Sequence, residues 1–190
     1  MHIPEPAKKG LIDEIRERVE HGDLSEFDHH RFEGMAKKEI SRGKPENGYA
    51  ALGILAYLRG DEKEMRANHE KALAASGYAA IQHYNYACSL GGRACLEEAL
   101  EHSRLAFELD PVHVNALLIL TKILFELRKI KELKERMADW NKMVKEDHPM
   151  AEEIAELYED IEAAETAREE IARDGAIPLD EVLEEFDYAR

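Results

Sequence analysis

A set of landmark residues recurs along this chain every 34 positions, and that spacing restricts its fold more than any other feature. Gly53 is followed at this offset by Ala87 and then Thr121, Leu52 by Tyr86 and Leu120, and Ala72 by Ala106. A period of this length accommodates two helices and two turns. A single hairpin of that size cannot bury its apolar face alone, so successive hairpins must stack. Small residues at Gly53, Ala87, Ala72 and Ala106 allow helix axes to approach closely, while larger apolar residues between them fill the grooves.

Composition agrees with a helical reading. Of the 190 residues, 44 % are hydrophobic, 35 % charged and 7 % aromatic. Good helix formers dominate, and β-branched runs are absent. The net charge of −15 is concentrated at one end: positions 149–190 hold 15 acidic and 3 basic residues. Lys122–Lys145 runs the other way, with 8 basic and 4 acidic residues. So acidic a chain is expected to repel nucleic acid, whose binding rests on phosphate neutralisation. The two cysteines, Cys88 and Cys95, form neither a CxxC pair nor a disulfide framework, which fits a reducing cytoplasm. The N-terminus lacks a signal-like apolar run, and the stretch around Ala116–Phe125 is too short to span a bilayer.

The chain divides into several helical pieces. An N-terminal hairpin occupies 1–45. Its first helix, 11–21, carries Leu11, Ile12, Ile15 and Val19 on one face and ends at Gly22-Asp23. Ser25 is the expected N-cap of a second helix to Arg42, with Phe27, Phe32, Met35, Ala36 and Ile40 inward. Gly43-Lys44-Pro45 breaks the chain before three units at 46–79, 80–113 and 114–147. Gly60-Asp61 forms the turn inside the first. Leu109-Asp110-Pro111 closes the second, where proline stops the helix. Leu133, Met137 and Trp140 are expected on the last helix of the third. Beyond Pro149 a helix spanning 148–173 caps the array, with Ala151, Ile154, Ala155, Tyr158 and Ile161 on its apolar face. Asp174-Gly175 ends it, and an acidic amphipathic tail fills 174–190.

Tyr49-x-x-Leu52-Gly53, Ala99-x-x-x-Ser103, Ala106 and Asp110-Pro111 together resemble the pattern of tetratricopeptide repeat proteins over about half the chain. Tyr49 stands where tryptophan is usual and Ser103 where an aromatic is usual; Trp140 fills a place usually small. The resemblance implies an all-α, right-handed superhelix of stacked hairpins whose first helices line a concave, peptide-binding groove. Carried over by place, the groove residues are Asn47, Ala50, Ile54 and Tyr57 in the first unit. They are Ile81, Tyr84, Cys88 and Gly91 in the second, with Asn85 close by, and Asn115, Leu118, Lys122 and Phe125 in the third. Rigid rings and side-chain amides suit an extended backbone. Only Asn85 and Lys122 lie near the places with which some members clamp a partner's terminal carboxylate, so that clamp is not expected. Gly91-Gly92 either opens the groove or relieves crowding.

Residues 168–183 also resemble the C-terminal segment of some bacterial antitoxins. The tail is accordingly an alternative partner-binding, toxin-neutralising or autoinhibitory element. The nine histidines offer a second alternative, a metal-binding protein. His29 and His30 are adjacent, about 100° apart on a helix, and poorly placed to share an ion. Asp28-His29-His30 resembles a phosphoesterase motif that needs a parallel sheet. His69 and His83 are expected to meet as a buried, hydrogen-bonded pair. No nucleophile elbow, phosphate loop or dinucleotide fingerprint occurs. The sequence thus predicts a non-enzymatic, cytoplasmic binding module without cofactor, monomeric or homodimeric, whose partner is a protein or peptide and neither nucleic acid nor membrane.

Overall fold

A computed structural model describes residues 9–22, 24–143 and, further on, 156, 159–163, 166, 167, 170, 171 and 173, with 137 and 140–143 as backbone only. Eight helices lie in the continuous part: α1 (Leu11–Glu20), α2 (Glu26–Ser41), α3 (Pro45–Arg59), α4 (Glu62–Ser76), α5 (Ala80–Gly91), α6 (Leu96–Leu109), α7 (Val114–Glu126) and α8 (Ile130–Met143). The protein is all-α, and no strand occurs among the described residues. Two compact units divide the chain, Met1–Trp140 and Asn141–Arg190. The described residues of the second are helical, and Ile161 is buried. The expectations on Asp23, the side chains of Met137 and Trp140, Pro149 to Ala155, Tyr158 and 174–190 fall outside the described residues.

Repetition is written in the backbone of the turns more plainly than in the side chains. Gly60, Ala94 and Arg128 stand 34 residues apart and all adopt left-handed φ, at 84°, 57° and 54°. In each turn an N–H donates back to a carbonyl five residues earlier: Asp61 to Ala56, Cys95 to Leu90 and Lys129 to Leu124, at 2.9, 3.0 and 2.9 Å. This is the helix-ending geometry in which glycine is most at ease, and only the first turn has it. The other turn also repeats. Gly43 and Gly77 have φ of 81° and 66°, with Lys44 donating to Glu39 and Tyr78 to Leu73. The period therefore reaches back into the N-terminal hairpin. The first helices begin at Leu11, Pro45, Ala80 and Val114.

Close helix approach rests on the small residues. Ala51, Ala72, Ala87, Ala99 and Ala106 are all fully buried. A Cβ on Gly53 would stand 2.8 Å from the His69 ring, and one on Gly48 would stand 2.5 Å from the Ala36 carbonyl of α2. Gly48 explains how α2 packs along α3. Ile15, Phe32, Ala36, Ala51 and Leu55 form one core cluster, to which α1 contributes Ile15 alone as a fully buried side chain. Ser25 caps α2 as expected: its hydroxyl accepts from the Asp28 N–H at 3.1 Å and donates to the Asp28 carboxylate at 2.6 Å. Phe27 departs from expectation, being 77 % exposed. The buried stripe of α2 runs Asp28, Phe32, Ala36 in steps of one turn, and Phe27 lies beside it.

Candidate functional site

A cleft of about 740 Å³ opens where α1 crosses the first-helix row formed by α3 and α5. Its walls come from α1 (Leu11, Ile12, Arg16), the end of α2 (Met35, Lys38, Arg42) and the inward ends of α3 and α5 (Asn47, Ile81, Asn85). A second pocket of about 260 Å³ is lined by Ile15, Arg16, Val19, Glu20, Ile54, Tyr57, Leu58, Asn85, Cys88 and Ser89. Arg16 and Asn85 border both spaces. Val19, expected within the apolar face of α1, is half-exposed and contributes to this second pocket.

The groove candidates separate into three groups. Asn47, Ile81 and Asn85 line the cleft, while Ile54, Tyr57, Asn85 and Cys88 line the pocket. Ala50 and Leu118 are buried and belong to the core. Asn115, Lys122 and Phe125 lie on α7 and border neither space. Tyr84 is held between Arg16, whose guanidinium sits 5.2 Å from its ring, and His113, whose ring is 5.2 Å away. Burial raises its phenol to about 12. Burial likewise raises the Cys88 thiol, so it stays protonated and a poor nucleophile. Of the Gly91-Gly92 pair only Gly92 relieves crowding, since its Cβ would collide with the Tyr57 hydroxyl, whereas a Cβ on Gly91 would meet open space.

Arg16 is the residue that periodicity alone misses. It sits on α1, outside the units that carry the landmarks. Its Nη2 donates to Asn85 Oδ1 at 2.9 Å. Asn85 is 1 % exposed, and its Nδ2 reaches Gln82 Oε1 at 3.5 Å. The signal available in the sequence was a charged residue directly after the buried Ile15, one step around the helix from the core stripe.

The histidines do not meet as expected. His69 stacks on Tyr86 with ring centroids 4.9 Å apart, and its Nε2 lies 2.9 Å from Ser89 Oγ. Its ring is pushed down to about 3 by burial, with the neighbouring His102 adding to the effect. His83 pairs instead with His102, Nδ1 to Nδ1 at 2.9 Å. The reason is register: place 69 recurs as Ser103, leaving His102 one residue earlier to face α5. Burial also lowers His83 and His102. Asp28 serves the α2 cap, and Ser25, more than Arg18, holds its carboxyl below the usual range. Among the described residues, no group of three or more His, Cys, Asp or Glu is placed to hold a metal ion, and no helix is long and apolar enough to cross a membrane.

No protein-family model matches the chain, and no curated protein matches it in sequence.

Proposed function

We propose that this protein is a tetratricopeptide-like repeat module that acts without catalysis, holding an extended segment of a partner protein in the cleft between α1 and the first helices of the next two repeats. One observation carries the reading: side chains from four helices converge on a continuous recess joined to a smaller apolar pocket. Such a layout suits an extended chain, whose backbone pairs with amides such as Asn47 and whose side chains enter adjoining pockets. Two free, partly exposed cysteines fit work in the reducing cytoplasm.

Selection of a random dodecapeptide phage library on the immobilised protein tests this. Selected peptides should lose at least tenfold in affinity against Ile81→Asp or Ile54→Ser, with the helical circular dichroism of each variant intact. Peptides that bind equally well to both variants would place recognition elsewhere and sink the reading.

A further inference from the structure

We infer that the occupant of this cleft presents a side-chain carboxylate to Arg16 and, next to it, an aliphatic side chain to the adjoining pocket. The inference rests on the cleft being a peptide site and names the chemistry of the peptide. A guanidinium offers five N–H donors in a planar fork matched to carboxylate. Arg16 spends Nη2 on a neutral amide, holds its guanidinium carbon 5.2 Å from the centre of the Tyr84 ring, and makes no ion pair among the described residues. Among the described residues, Arg18, Arg31, Arg59, Arg66, Arg104 and Arg136 by contrast each face a carboxylate. Asn85, itself buried and braced by Gln82, fixes the direction of the fork towards the shared border of cleft and pocket.

The rim reinforces this polarity. Lys38 and Arg42 border the cleft and pair with no carboxylate among the described residues. The acidic side chains around it are engaged elsewhere. Asp13 accepts from the Gly10 N–H at 3.2 Å, Glu14 faces Arg31 at 3.8 Å, and Glu39 faces Lys44 at 4.0 Å. Glu20, one turn beyond Arg16, borders the pocket without reaching ion-pair distance. In a chain of net charge −15, this recess is a local cationic site. It will draw an acidic segment in and favour it over a neutral one. Beside Arg16 the pocket of about 260 Å³ has aliphatic walls from Ile15, Val19, Ile54 and Leu58, with room for an aliphatic side chain. Asp or Glu next to Leu, Ile or Val satisfies both features.

Fluorescence anisotropy on the full chain at low salt tests the inference. The probe is an acetylated, amidated, fluorescein-labelled dodecapeptide of Glu, Leu and Gly, so that only side-chain carboxylates carry charge. Its counterparts replace every Glu with Gln, every Leu with Ser, or one Glu with phosphoserine. The Gln and Ser counterparts should bind at least tenfold more weakly than the parent. Arg16→Gln should weaken the parent about tenfold and leave the Gln counterpart unchanged, with Arg16→Lys between. Should Arg16→Gln lower the helical signal, Lys38→Gln with Arg42→Gln provides the second arm, expected to weaken the parent and flatten its salt dependence.

Equal affinity for Glu and Gln probes, or no effect of either set of variants, overturns the carboxylate assignment. If Leu-dependent binding then persists and falls with Ile54→Ser, the cleft reading survives the loss. Tenfold preference for the phosphoserine probe overturns the assignment in favour of phosphate. Failure of every probe to bind removes both.

Discussion

Gly53 and His69 show how one buried pair can set the spacing of two helices. The imidazole of His69 lies against the bare Cα of Gly53, with ring atoms 2.8–3.0 Å from where a Cβ would be, and is held by stacking on Tyr86 and by Ser89. Alanine in mid-helix ordinarily gains about 0.5–1 kcal/mol over glycine. At this position the added methyl meets a ring with nowhere to retreat, so Gly53→Ala should instead destabilise by about 1–3 kcal/mol. A double-mutant cycle with His69→Ala checks the mechanism by urea denaturation: the cost of Gly53→Ala should largely vanish when the ring is gone. Additive costs would show that the strain arises elsewhere. Ala94 offers the opposite case. Its left-handed φ of 57° costs an L-residue on the order of 1 kcal/mol, and its side chain is exposed. Ala94→Gly should therefore raise the urea midpoint without changing the denaturant slope, and a lowered midpoint would contradict the turn geometry.

At the scale of elements, the α5–α6 hairpin is joined by a row of rings, Tyr78, His83, His102, Tyr86 and His69, with successive centroids 4.5–6.4 Å apart. Burial opposes charge along this row; Glu98 partly offsets it at His102, and Arg66 claims Glu98 through its own ion pair. Two imidazoles meeting Nδ1 to Nδ1 can share one proton but cannot both be charged cheaply. Burial sets all three histidines below their ordinary value of 6.5. The native state thus binds fewer protons than the unfolded chain, and stability is full above 6.5. It falls as pH drops through 6.5, by up to about 1.4 kcal/mol per pH unit for each histidine still neutral in the native state. Urea midpoints should decline between pH 7 and 5, and His102→Gln should flatten that decline by removing one titrating ring and the clash between two. A decline as steep in His102→Gln as in the parent would remove the pair from the account.

Across the whole molecule, the repeat was legible where it depends on volume and illegible where it depends on direction. Gly53, Ala87 and Ala72 announced helix contacts because only small residues fit there, and the Ser25 cap followed from residue type. The same reading placed Phe27 inward, since helical spacing on a short segment tolerates an error of one residue. The N-terminal hairpin hid its kinship because its shared signature is backbone geometry at Gly43 and Gly77, not a shared side chain. Arg16 stayed hidden for a related reason: a charged residue beside a core position reads as solvated until the neighbouring repeat is in place. Within that hairpin, α1 is also held in place by little buried surface. α1 has ten residues and one fully buried large side chain, whereas α5 and α7 are buried along most of their length. An element held by so little buried surface opens before the well-buried core. Ile15→Ala removes its anchor, at a cost of about 2–5 kcal/mol if α1 unfolds with the rest. If α1 opens by itself, native-state hydrogen exchange should show its amides losing protection while those of α3, α5 and α6 keep theirs and the main thermal transition hardly moves. Because Arg16 rides on α1, the same variant should also lose the acidic probe. Uniform loss of protection through all helices would make the array one cooperative unit, with the cleft as stable as the core beneath it.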